Sequence, residues 1–180
     1  MLPVSLVLLA MVARGAGVDL SPCQTTYGTG RSDGNINKLN NTIRWSWSDV
    51  SSGWRGWAAF PVHQLPDSFT HYRTVKLHYY ERMGSHSPIC SLYWAHGSHP
   101  LGSQGNGPLW DSLGIGFPLG RESYNPLHEH VVTLPSWAYW PARPKDTLVV
   151  GFVEGSHVSG ADGYADGWQD TYPPYLECIP

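Results

Sequence analysis

Charge is scarce in this chain. Its 180 residues carry 11 Lys and Arg against 14 Asp and Glu, a net charge of −3, so it has neither the basic footprint that nucleic acid requires nor an acidic interaction tail. No nucleic-acid partner is expected. Long apolar runs are equally few. After Leu2–Val12 no stretch approaches the roughly 20 residues of a membrane-crossing helix, and no membrane span is expected. Helical periodicity is almost missing, and 20 Gly and 15 Pro punctuate the chain throughout, which argues against helical classes and for an all-β fold. No G-x-S-x-G, H-E-x-x-H or P-loop pattern occurs, nor the spacing of an EF-hand loop. The commonest signatures of hydrolases, metalloproteases and nucleotide enzymes are therefore absent.

What is plentiful is aromatic: 9 Trp, 10 Tyr and 4 Phe in a chain only 14% charged. Surface positions must then be filled by Ser, Thr, Asn, Gly and rings, an extracellular flavour. A hydrophobic content of 41% suffices for one core, and a chain of this length is one domain by default.

The opening "MLPVSLVLLAMVARGAG" reads as a secretory signal peptide over residues 1–17, an apolar core followed by small residues near Gly15–Gly17. Residues 18–32 follow as an N-terminal extension, and 33–180 as the folded domain. "LSPC" at Leu20–Cys23 loosely matches a lipoprotein box, which would make Cys23 a lipid anchor, although Pro22, Asp19 and Arg14 do not suit it. The cysteines are Cys23, Cys90 and Cys178. Export favours one disulfide, and three pairings are open. Cys23 with Cys178 is the expected bridge, because it ties the mature N-terminus to the last strand; chain-entropy reasoning assigns such a closure roughly 4–5 kcal/mol. Cys90 is expected as a buried small hydrophobe.

Strands are predicted between the breakers at 35–39, 42–50, 54–62, 74–82, 90–97, 128–135, 146–155 and 174–179. In "TVKLHYY" Val75, Leu77 and Tyr79 alternate with Lys76, His78 and Tyr80, the mark of a half-buried strand. "LVVGFV" is apolar on both faces and belongs at a sheet centre. The segments 97–126 and 136–146 read as long Gly/Pro-rich connections. The fold class expected is an antiparallel β-sandwich of jelly-roll type.

Four segments in order, "DGNI" (33–36), "WRGWAAFPVHQLPDSFTHYRTVKLHYYER" (54–82), "DTLVVGFVEG" (146–155) and "GYADGWQDTYPPYLEC" (163–178), resemble the DNRLRE-type jelly rolls of prokaryotic surface proteins, which are similar to carbohydrate-binding modules. The motif that names that family does not itself occur. The resemblance implies a jelly-roll fold and a non-catalytic role in adhesins, polysaccharide-degrading enzymes or surface appendages.

Ring-bearing residues are the first binding candidates. Trp45 and Trp47 are two apart on a predicted strand and would share a face with Asp49, either as a sugar platform or as an inner wall of the sandwich. Tyr139 and Trp140 fall in a proline-rich loop, and Tyr164 and Trp168 in the glycine-rich approach to the last strand. Asp162, Asp166 and Asp170 recur there every four residues, a set that suits either Asp-Gly turns or a structural Ca²⁺. His128 and His130 share a strand face, and His86, Cys90, His96 and His99 cluster in sequence, but no spacing enforces a closed metal site. His78, Tyr80, Glu81 and Arg82 hold the residue types of jelly-roll polysaccharide lyases, while Asp49, Glu81, Glu129 and Glu154 are the carboxylates a hydrolase would draw on. Asn40 begins an Asn-Asn-Thr sequon.

These features lead to one expectation. The chain is a secreted, non-catalytic β-sandwich acting at or outside the cell surface, in adhesion or as a building block that pairs with its own copies by strand addition. Binding a polysaccharide as a carbohydrate-binding module is the alternative, and a polysaccharide hydrolase or lyase the next.

Overall fold

The computed structural model describes residues 17–22, 24–29, 42–47, 53–65, 72–94, 116–135, 147–167 and 169–180. They form two antiparallel sheets packed face to face. Strands in chain order are β1 (Val18–Leu20), β2 (Gln24–Thr29), β3 (Ile43–Ser46), β4 (Trp54–Phe60), β5 (Thr74–Ser85), β6 (Ile89–Trp94), β7 (Phe117–Ser123), β8 (His128–Thr133), β9 (Leu148–Glu154), β10 (Asp162–Ala165) and β11 (Tyr175–Ile179). One sheet follows the order β1-β11-β5-β10-β3, with β8 on the other side of β5; the second runs β2-β4-β9-β6-β7. The chain changes sheet at nearly every connection, the jelly-roll manner of building a sandwich.

β5 organises the first sheet. Along one edge it pairs with β11 through Thr74–His78 and then with β10 through Glu81–Ser85, while its other edge pairs with β8 through Lys76–Glu81. Its inward residues Val75, Leu77 and Tyr79 are buried, as strand alternation requires. β9 lies between β4 and β6 and is buried along its whole length, which is where a run apolar on both faces belongs. On β11 Leu176 and Cys178 are fully buried while Tyr175 and Glu177 face out.

The core centres on Trp45. Its indole stacks on Phe152 (centroids 6.0 Å apart) and meets the edge of Tyr79 (6.5 Å). It also covers Gly163, its register partner on β10, where a Cβ would overlap the ring. Gly56 performs the same service at the sheet-to-sheet contact, since a Cβ there would come within 2.9 Å of the Arg44 backbone.

Several expectations are corrected. The supposed N-terminal extension supplies an edge strand to each sheet: β1 pairs with β11 and β2 with β4. Two strands lie in segments read as connection or turn, β7 and β10. β7 carries Pro118, which is tolerated because among the described residues the strand pairs on one side only, with β6. Cys178 is a free buried thiol, so the expected Cys23–Cys178 bridge is not formed. Cys178 sits opposite Val18, and β1 runs away from it toward Leu20 opposite Leu176. Burial, then Asp19 and Glu177, push the Cys178 thiol up to about 12. Cys23 itself, like Asn40, Asp49, Tyr139, Trp140 and Trp168, lies outside the described residues. So do the predicted strand at 35–39, His96 and His99.

The contact between Trp45 and Gly163 makes a direct prediction. Gly163→Ala should destabilise the fold by about 1–3 kcal/mol through overpacking, and the loss should shrink when Trp45→Leu opens space beside it. Urea denaturation of the two single variants and the double variant measures this; additive losses would contradict the packing described.

Candidate functional site

The outer face of the first sheet carries a groove of about 400 Å³ lined by His78, Tyr80, Glu129, Tyr172, Pro173 and Tyr175 among others. Strand register builds it. Tyr175 on β11 is directly opposite His78 on β5, and Glu129 on β8 is opposite Tyr80. Cross-strand neighbours of this kind touch, and the rings of Tyr175 and His78 lie nearly parallel with centroids 4.3 Å apart. His78 Nδ1 lies 3.1 Å from Glu129 Oε1, and its Nε2 lies 3.4 Å from Glu177 Oε2. Lys76, opposite Glu177, donates to the same Oε2 at 2.8 Å. That hydrogen bond is the largest reason the Glu177 carboxyl stays below its ordinary range, with a further contribution from His78. Burial, followed by the charges of Glu129, Asp19 and Glu177, raises the Tyr175 phenol.

The same groove holds a second ring pair, Tyr80 and Tyr172, with centroids 4.6 Å apart. Tyr172 is 56% exposed, yet its backbone is firmly held. Asp166, fully buried, accepts the Tyr172 N–H through Oδ2 at 3.0 Å and ion-pairs through Oδ1 with Arg82; its own N–H donates to the Tyr80 carbonyl. Asp170 accepts the Gly167 N–H at 2.8 Å and lies 3.9 Å from Arg82. A guanidinium thus occupies the position between these carboxylates.

The aspartates expected to converge on Ca²⁺ are divided between two arginines. Asp162 takes a bidentate contact from Arg44 (3.0 and 2.7 Å) and the Tyr164 hydroxyl (2.8 Å), while the Arg44 guanidinium lies over the Trp54 and Tyr164 rings at 4.7 and 4.9 Å. Tyr164 therefore belongs to this stack and not to the groove. Among the described residues no three His, Cys, Asp or Glu side chains are placed to hold a metal ion.

Trp45 and Trp47 do not share a face, because β3 ends at Ser46. Trp45 is fully buried and offers no ring face to a ligand. Trp47 lines a separate concavity of about 550 Å³ on the second sheet with Arg55, Tyr93, Arg121, Val153 and His157. Its ring meets His157 edge-on at 4.6 Å. The polar groups there are engaged internally: Arg121 donates to the Gly155 carbonyl, and buried Glu154 accepts the backbone N–H groups of Ile89, Ser156 and His157.

The remaining reactive types form an interior clamp. Glu81, Tyr79 and His130 point between the sheets. His130 Nε2 lies 2.9 Å from Glu81 Oε2, which also accepts the Asn125 N–H at 2.9 Å. His130 Nδ1 lies 3.6 Å from Glu122 on β7, an ion pair across to the second sheet. Tyr79 stacks on His130 (4.8 Å) and faces Cys90. Burial drives both the Tyr79 phenol and the Cys90 thiol well above their ordinary values, so both stay neutral, and Cys90 has none of the thiolate character of a nucleophile. Among the candidate carboxylates Glu81 and Glu154 are thus committed to the interior, and Glu129 alone of the described ones reaches the groove.

The groove residues that sequence reading passed over as ligand contacts are Tyr172 and Tyr175. Their signal was present in "TYPPY", two rings flanking a proline pair just before the closing strand. No protein-family model matches the chain, and no curated protein does.

The clamp has a signed pH dependence. Burial by itself lowers the His130 pKa, but Glu81 and Glu122 outweigh it and hold the group above 6.5. A raised folded pKa contributes stability that is complete below the unfolded value and is lost as pH rises through the folded one. The unfolding free energy of the native protein relative to His130→Gln should therefore be largest near pH 6 and decline on the alkaline side of about 6.5. Urea midpoints across that range test it, and an advantage that is flat or grows with pH would contradict the clamp.

Proposed function

We propose that this protein is a secreted, non-catalytic β-sandwich that adheres to glycan chains through the tyrosine groove of its first sheet. The observation that carries the reading is the groove itself: two ring pairs, Tyr80–Tyr172 and Tyr175–His78, line one concavity with Pro173 and Glu129. Sugar rings present apolar C–H faces and a rim of hydroxyls. The first suits aromatic faces, and the second suits carboxylate acceptors such as Glu129 and Glu177. Strand register holds His78, Tyr80, Glu129 and Tyr175, and Asp166 holds the Tyr172 backbone, so little ordering is needed on binding.

Lys76 holds Glu177 ionised as an acceptor for hydroxyls, and the Tyr175 phenol stays protonated as a donor. The apolar Leu2–Val12 segment followed by small residues supports export.

Tyr172→Ala and Tyr175→Ala should each weaken glycan binding by roughly tenfold, about 1–1.5 kcal/mol. Affinity electrophoresis on a panel of neutral and charged polysaccharides, with circular dichroism to confirm the fold, measures it. Retention of the native protein on none of them, or retention indifferent to both substitutions, would refute the reading.

A second reading, assembly with copies of itself, has one supporting feature. Among the described residues β8 pairs only with β5, and it exposes Val131 at 47%, the condition for strand addition. It predicts oligomers that dissociate when Val131→Lys is introduced; a concentration-independent monomer in analytical ultracentrifugation eliminates it.

A further inference from the structure

The geometry points to a groove selective for glycans that carry a free, protonated amine, such as oligomers of unacetylated glucosamine, over their N-acetylated or uronic-acid counterparts; this rests on the glycan reading above. Three carboxylates gather around Tyr175. Glu129, with its side chain 50% exposed, lies beside His78; Glu177 touches the other nitrogen of the same ring; and Asp19 on β1 is directly opposite Glu177. Among the described residues Lys76 opposes them, held on Glu177 at 2.8 Å. Among the described residues Glu129 has no Lys or Arg partner, and its contacts are the His78 ring, a cation only when protonated, and the Tyr175 side chain.

The rings add to the same preference. An aromatic face carries negative charge density and attracts an ammonium group. Tyr172 is largely exposed against Tyr80, and Tyr175 lines the same groove. An ammonium bound between them meets ring faces and a carboxylate together, and its N–H groups donate charge-assisted hydrogen bonds to Glu129. Acetylation removes the charge and the extra donors. A uronate meets Glu129, Glu177 and Asp19 with like charge, a repulsive element that sharpens discrimination.

The test is calorimetric titration of the full protein, at mildly acidic pH and low salt, with glucosamine, N-acetylglucosamine and uronic-acid oligomers of equal length. The expected result is a preference of about tenfold for the free amine over the N-acetyl oligomer, with the uronate weakest. The preference should decline with added salt and collapse toward unity in Glu129→Gln; Glu177→Gln serves as a second variant should the first fail to fold. Equal affinity for amine and N-acetyl oligomers, tighter binding of the uronate, or a preference unchanged in both variants overturns the amine selectivity while leaving glycan binding in place. Binding of none of the three, nor of neutral glucose oligomers run beside them, overturns both.

Discussion

A single pleated strand sets the terms for this molecule. β5 runs for 12 residues, and its alternation sends Val75, Leu77, Tyr79 and Glu81 between the sheets while Lys76, His78, Tyr80 and Arg82 face outward. The core, the interior clamp and the groove are thus three readings of one backbone. A slip of one residue would exchange the two sets entirely, so the same hydrophobic force that buries Leu77 and Tyr79 also fixes where His78 and Tyr80 stand. The groove has no separate scaffold. Its precision is that of the core, and its strands are held on both edges of β5.

Charge in this sparsely charged chain is used locally and in closed sets. Arg44 is enclosed by Asp162, Trp54 and Tyr164, and Arg82 gathers Asp166 and Asp170. The second set has a consequence for the groove. Asp166 is fully buried and would be costly there without a partner; paired with Arg82, it spends its other oxygen on the Tyr172 backbone. An ion pair beneath the loop therefore presents a ring above it. The loop resembles a cation site in sequence because it is one, with the cation supplied by a side chain.

The sandwich and its central strands were legible because each carried an unambiguous period: alternation in "TVKLHYY", continuous apolarity in "LVVGFV", and outward Tyr175 and Glu177 against inward Leu176 and Cys178. The strands that escaped were short or interrupted. β10 is four residues with Gly163 in it, and that glycine reads as a turn until Trp45 is seen lying on it. β7 holds Pro118 and Gly120, which edge position and the approach of Val132 explain only in three dimensions. The site was less legible than the fold. Trp45 and Trp47, the ring pair most visible in sequence, were separated by the end of a strand, whereas the rings that do line one surface, Tyr80, Tyr172 and Tyr175, come from elements about 90 residues apart. Local periodicity carries no information about such a meeting.

The interior clamp and the outer groove occupy opposite faces of one register. Tyr79 lies opposite His130 while its neighbours on either side, His78 and Tyr80, face Val131 and Glu129. Protonation of His130 strengthens its hold on Glu81 and on Glu122 across the sheets, and so secures β8 against β5 and against the second sheet. β8 is the strand that delivers Glu129 to the groove. Of the groove's walls, the β11 side is bound into the sheet by pairing on both of its edges, with β1 and with β5. The β8 side is paired among the described residues to β5 alone and gains from the clamp an ion pair to Glu122 on the second sheet. The carboxylate that gives the groove its charge is therefore carried by a strand whose attachment includes the titrating clamp of His130.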